Sequence, residues 1–158
     1  MNVLHTARGA EAMRALGARF GAALLTASSA DSPSLLVTLS GELGAGKTTF
    51  VGGLLQALGH AGPVRSPTYT LIEPYRLAGR DVQHCDLYRL RHPAEIENLG
   101  LRDLRGPGSI LLVEWPAKAA GALGQADADV VLRYAGADAR EVECAGRTAV
   151  GRVITAAW

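Results

Sequence analysis

Leu35-Leu36-Val37-Thr38-Leu39-Ser40-Gly41-Glu42-Leu43-Gly44-Ala45-Gly46-Lys47-Thr48-Thr49 is the stretch whose reading decides the fold. Residues 35–39 are apolar and β-branched, the pattern of a strand buried on both faces. Gly41 to Thr48 then fits G-x-x-x-x-G-K-[ST] at every fixed position. Residues 48–58 read as a helix, ended by Gly59. Strand, Gly-rich turn and helix in that order are the context a phosphate-binding loop needs. The glycines let backbone N–H groups turn inward around phosphate oxygens. Lys47 supplies a positive charge, the Thr48 hydroxyl is a Mg²⁺ ligand, and the helix points its positive end at the same phosphates.

Working outward, Thr6 reads as an N-cap before a helix with apolar residues at Met13, Leu16, Phe20 and Leu24. Residues 69–75 and 82–86 both read as strands. The short segment 76–81 between them, with Gly79 as turn residue, is too short for a parallel crossover, so the pair is expected to be antiparallel. Pro93 suits the first turn of a helix over 94–99. Residues 109–114 form the most apolar strand, 129–134 and 141–144 a late strand pair, and the last dozen residues are ambiguous. No repeat, low-complexity segment or linker is visible. The expectation is one α/β domain over 1–158, with a three-layer P-loop NTPase fold and a mixed parallel/antiparallel central sheet.

A P-loop needs a carboxylate at the end of a neighbouring strand to hold Mg²⁺, directly or through water. Glu114 ends the strand Ile110-Leu111-Leu112-Val113, and Asp86 ends 82–85. Strand-end carboxylates lie on the rim where ligands bind in α/β sheets. Spacing leaves open which acid meets the metal and which orients water. His84 reads as a base or as a buried polar strand residue, and Trp115 as a wall of the site or as packing. Asp103-Leu104-Arg105-Gly106 matches the D-x-x-G of GTPases, but it follows no apolar strand, and the chain has no Asn-Lys-x-Asp to read guanine. ATP is therefore the expected nucleotide.

Composition sets further bounds. Sixteen basic against 15 acidic residues leave a net charge of +1, without the basic surplus of a free-standing nucleic-acid binder. Cys85 and Cys144 form no Cys-x-x-Cys pair and imply neither a metal site nor a disulfide framework. The N-terminus lacks a signal-peptide pattern, and no apolar run approaches the ~18 residues of a membrane span. A cytoplasmic protein is expected.

The chain resembles the bacterial TsaE (YjeE) family. The resemblance spans about residues 40–134 and rests on several motifs in order: the loop Gly41 to Thr49; Ser66-Pro67-Thr68-Tyr69-Thr70-Leu71-Ile72-Glu73; His84-Cys85-Asp86-Leu87-Tyr88-Arg89; Glu97-Asn98-Leu99-Gly100-Leu101-Arg102-Asp103; and Leu112-Val113-Glu114-Trp115-Pro116. It implies an ATPase required for threonylcarbamoyladenosine (t6A) formation at adenosine 37 of tRNAs reading codons that begin with A. Such an ATPase works with a TsaB–TsaD heterodimer, sustains its turnover, and meets tRNA only through that complex. It further implies that Glu42, Leu43, Gly44, Ala45, Gly46, Lys47, Thr48 and Thr49 bind ATP. Thr48 and Glu114 would hold Mg²⁺, with Asp86 an essential acid of the same centre and Thr68 near the γ-phosphate. The family's adenosine lies between the N-terminal region and the late strands, which makes Thr6 and Arg140 candidates. Cys85 stands where many members carry an aromatic residue. The rival reading is a small-molecule P-loop kinase, which usually needs an Arg-rich lid; no Arg cluster follows the central strand. Arg65 and Arg89 lie near the site in sequence, but no motif makes either of them an arginine finger.

Overall fold

The computed structural model describes residues 2–67, 69–119 and 121–158. The elements run β1 (Asn2–Arg8), α1 (Gly9–Ala27), β2 (Leu35–Ser40), α2 (Lys47–Ala57), β3 (Ile72–Leu77), β4 (Arg80–Asp86), α3 (Glu95–Asn98), β5 (Ile110–Glu114), a 3₁₀ turn (Pro116–Ala119), β6 (Ala128–Tyr134), β7 (Ala139–Gly146) and α4 (Ala149–Ala157). Among the described residues, seven strands form one sheet in the order β1-β7-β6-β2-β5-β4-β3. The central strands β6, β2, β5 and β4 are parallel, and β7, β1 and β3 add antiparallel edges. The mixed sheet is thus the expected one.

Helices α1, α2 and α4 cover one face over a core that includes Phe20, Phe50, Val37, Leu112 and Val130. Residues of α3 and the loops around it pack on the other face over Leu36, Cys85, Leu111 and Val113. That gives three layers. α1 and α2 pack very closely: a Cβ on Gly17 would sit 2.0 Å from Phe50 O, and one on Gly53 would sit 1.9 Å from Arg14 O. Two glycines therefore bring the helix that follows the phosphate-loop motif hard against α1. No helix among the described residues is long and apolar enough to cross a membrane.

The structure corrects the sequence reading in several places. Thr6 caps no helix; it lies within β1, paired with Glu141. The helix starts at Gly9, and Arg8 precedes it without a side-chain cap. Val3, His5 and Ala7 alternate with the more exposed Asn2, Leu4, Thr6 and Arg8, a period-2 signal outweighed by the helical period that follows it. The strand expected over 69–75 begins at Ile72 instead, after Leu71 takes a left-handed φ of 63°. The hairpin turn is Ala78-Gly79, both at positive φ (53° and 70°), while Arg76 and Asp81 are a cross-strand ion pair at 2.9 Å. Two residues of positive φ suit the twist of a tight hairpin. The ambiguous C-terminal stretch is α4, capped by the Thr148 hydroxyl accepting from Gly151 N at 3.1 Å. It ends with Trp158 buried against α1, the indole N–H donating to Leu16 O at 2.9 Å.

Candidate active site

β2 is buried almost to its end, and the chain then turns through 41–46 into α2. Gly41 passes so close to β6 that a Cβ there would meet Leu132 O at 2.6 Å. Gly46 precedes α2 with φ 108°, a conformation that favours glycine. Lys47, the first residue of α2, is buried. Its ammonium donates to Gly41 O (2.6 Å) and Glu42 O (2.9 Å) and lies 4.3 Å from the centre of the Trp115 ring. Burial pushes the ammonium below the ordinary lysine range, and the Glu114 and Asp86 carboxylates pull it part of the way back. A desolvated cation held by two carbonyls is thus stored inside the loop. Leu43 and Gly44 form the exposed side of the loop, and Ala45 is its buried side.

β4 and β5 run parallel with Asp86 opposite Glu114, so register brings both acids to one rim beside the start of α2. The Thr48 hydroxyl lies 3.1 Å from each Glu114 carboxylate oxygen. Oε2 of Glu114 is also 2.6 Å from His84 Nε2. Asp86 accepts from Tyr88 N at Oδ1 (3.0 Å) and from the Ser66 hydroxyl at Oδ2. Thr48, Glu114, Asp86, Ser66 and Tyr88 line a cleft of about 470 Å³ together with Gly44, Gly46, Lys47, Thr49, Arg89 and Trp115. A hydroxyl and a carboxylate at this spacing are hard oxygen donors of the kind Mg²⁺ takes. Mg²⁺ commonly uses one or two carboxylates and keeps several waters, so the pair is a sufficient protein contribution.

Both open readings resolve. Trp115 does both, walling the cleft and packing on the core of the other face, with its own backbone at φ 59° and its backbone N–H donating to Leu39 O. His84 is fully buried and reaches the cleft only through Glu114. Arg89 lines the cleft, its guanidinium 5.0 Å from the Tyr69 ring centre, whereas Arg65 does not line it. Thr68 lies outside the described residues.

A second, smaller cleft of about 230 Å³ adjoins the other side of the loop, lined by Gly9, Met13, Gly44, Thr49, Asp138 and Arg140 among others. Arg140 pairs with Ala7 and Tyr134, on the sheet face that carries α1. Thr6 is the next residue along β1 from Ala7, so it projects from the opposite face and does not line this cleft. One residue the sequence reading missed is Tyr134. Its hydroxyl donates to Leu43 O at 2.8 Å, and the Arg140 guanidinium lies 4.0 Å from its ring centre. An aromatic at the end of a late strand gives no signal of this contact in sequence, because the register of β6 against the loop is needed to see it.

A family model described as "Threonylcarbamoyl adenosine biosynthesis protein TsaE" matches residues 7–142. The tRNA threonylcarbamoyladenosine biosynthesis protein TsaE of Haemophilus influenzae is 47% identical over 125 residues, covering 79% of this chain and 78% of that protein. Its counterpart from Bacillus subtilis is 40% identical over 129 residues, covering 82% and 78%. Among solved structures, that of Bacillus subtilis YdiB superposes with a TM-score of 0.74 at 28% identity, covering 98% of this chain and 91% of that one. With the motif-bearing loop and both acids inside the matched region, the chain belongs to the TsaE family of tRNA threonylcarbamoyladenosine biosynthesis proteins.

Proposed function

We propose that this protein is a Mg²⁺-dependent ATPase that sustains t6A formation on tRNA in the cytoplasm, acting in complex with a TsaB–TsaD heterodimer. The observation that carries the reading is the contact of Thr48 with Glu114 at 3.1 Å, in the same cleft as Lys47 and Asp86. Hydroxyl, carboxylate and cation are the set a P-loop NTPase uses on a nucleoside triphosphate.

In this reading Lys47 exchanges its two loop carbonyls for phosphate oxygens. The backbone N–H groups of 42–49 and the start of α2 bind the phosphate chain. Thr48 and Glu114 hold Mg²⁺, which when bound neutralises charge developing on the transferring phosphoryl group. Asp86, anchored through both oxygens, is the acid we assign to orienting the attacking water. Arg140 and the smaller cleft receive the adenosine, and Tyr134 fixes the loop between the two clefts. Arg89, the arginine that lines the cleft, has its guanidinium 5.0 Å from the Tyr69 ring centre; in this reading the partner supplies or orders the arginine finger. In GTPases such a residue in trans raises the rate by ~10³–10⁵. A near-neutral chain also depends on its partner for tRNA.

The test is a reconstitution with TsaB, TsaD, tRNA, ATP and threonylcarbamoyl-adenylate. Multiple turnovers of t6A with this protein, and a single round without it, are expected. Equal t6A yield with and without it would overturn the assignment.

A further inference from the structure

We infer that His84 is a positioning residue that fixes the Glu114 carboxylate toward Thr48, an inference resting on the reading of Glu114 as a Mg²⁺ ligand. His84 lies on β4 opposite Leu112 of β5, one pleat back from the Asp86–Glu114 pair. Leu112 and Glu114 share a face, so His84 is a diagonal neighbour of Glu114, within reach of a long side chain. The 2.6 Å contact from His84 Nε2 to Glu114 Oε2 realises that geometry.

The position has no need of a histidine for packing. Its ring is fully buried, and Val82 and Leu112 beside it belong to the apolar core. His84 Nδ1 has no hydrogen-bond partner among the described residues. A buried ring nitrogen without a partner is unfavourable, and an aliphatic side chain would fill the same space without that penalty. What histidine adds over leucine is the Nε2–H donated to Glu114. With Oε2 held from below, the carboxylate plane is set and its rim-facing side is turned to Thr48, 3.1 Å away. His84 lines no part of the large cleft, so it acts through Glu114 and does not touch substrate. The neighbours that orient metal-ligating groups commonly contribute about 10–100-fold in metal affinity.

The experiment is calorimetric titration of ATP into parent and variants, with saturating Mg²⁺ and separately in EDTA. His84→Leu is expected to lose about 10–100-fold in the Mg²⁺-dependent part of the affinity and to match the parent in EDTA. His84→Gln, which keeps an N–H donor of similar reach, is expected to recover most of the loss. An unchanged Mg²⁺ dependence in His84→Leu would overturn the inference, as would an equal loss with and without the metal, which marks a merely structural residue. If His84→Leu does not fold, the shorter His84→Asn is compared with His84→Gln, and equal Mg²⁺ dependence in the two overturns it. A parent whose ATP binding ignores Mg²⁺ would instead sink the reading of Glu114 itself.

Discussion

Thr48 Oγ1 lies 3.1 Å from both carboxylate oxygens of Glu114, joining the first turn of α2 to the end of β5 across the sheet–helix junction. The two residues are 66 positions apart in sequence, and only the parallel pairing of β2 with β5 brings them together. The chemistry proposed for the cleft hangs on this pair, on Lys47 between its loop carbonyls, and on Asp86.

Lys47→Ala is expected to weaken ATP binding while the protein stays folded. Hydrogen bonds to charged partners are worth about 1.5–3 kcal/mol, so the loss is roughly 10–100-fold. The fold tolerates the change because, among the described residues, the ammonium makes no direct ion pair and its loop contacts are to carbonyls. Calorimetry with ATP and a thermal melt check both halves. Equal affinity in variant and parent would remove the phosphate-binding role of the loop.

Glu114→Gln and Asp86→Asn keep shape and hydrogen-bonding capacity while removing charge. Each is expected to lose hydrolysis by on the order of 10²–10⁴, the usual contribution of a positioned acid or base. Nucleotide binding in EDTA should hold, since neither side chain is proposed to contact the nucleotide. Phosphate release at the parental rate in both variants would make these acids structural.

Tyr134→Phe removes the hydroxyl that donates to Leu43 O but leaves the ring under Arg140. One hydrogen bond at about 0.5–1.5 kcal/mol predicts an ATP affinity lower by roughly 2–10-fold. Gly44→Ala should be worse, because its Cβ would stand 2.8 Å from the Tyr134 hydroxyl at a backbone φ of 79°. If both variants bind ATP as the parent does, Tyr134 has no part in holding the loop.

His5 contributes an acid-side loss of stability. Burial, and then the Arg19 charge, hold its imidazole below the ordinary histidine range. The ring sits edge-on to Trp158 at 4.4 Å. Below pH 6.5 the unfolded chain takes up a proton that the folded state resists, so stability falls as pH drops from that value. Melting temperatures between about pH 7 and 5.5 should decline in the parent and decline less in His5→Gln. Parallel profiles for the two would contradict this.

Cys85 and Cys144 are buried, and burial raises their thiols to about 12 and about 11. The thiolate is the reactive species, so a thiol reagent at pH 8 should label neither in the folded protein and both after denaturation. Stoichiometric labelling of the native protein would contradict the buried placement of β4 and β7.

The strand, Gly-rich loop and helix were legible in sequence because their parts are covalent neighbours, from the apolar run at Leu35 to Thr48. Asp86 and Glu114 were legible as strand ends for the same local reason. Contacts that depend on register were not. The grip of His84 on Glu114 needs the pairing of β4 with β5, and that of Tyr134 on Leu43 needs the approach of β6 to the loop. The face of Thr6 depends on β1 being a strand at all, since the alternation through Val3, His5 and Ala7 is short and a strong helical period follows at once. The start of β3 at Ile72 is not legible in sequence because the chain enters it through a left-handed Leu71, which carries no signal in residue type.

The most direct test of the central claim is phosphate release measured for the protein alone, then with the TsaB–TsaD heterodimer, then with tRNA added. The expected result is slow, Mg²⁺-dependent release alone that rises on addition of the heterodimer and is abolished throughout in Glu114→Gln. Hydrolysis unchanged by the heterodimer and tRNA, with no co-elution in ATP on a sizing column, would contradict it.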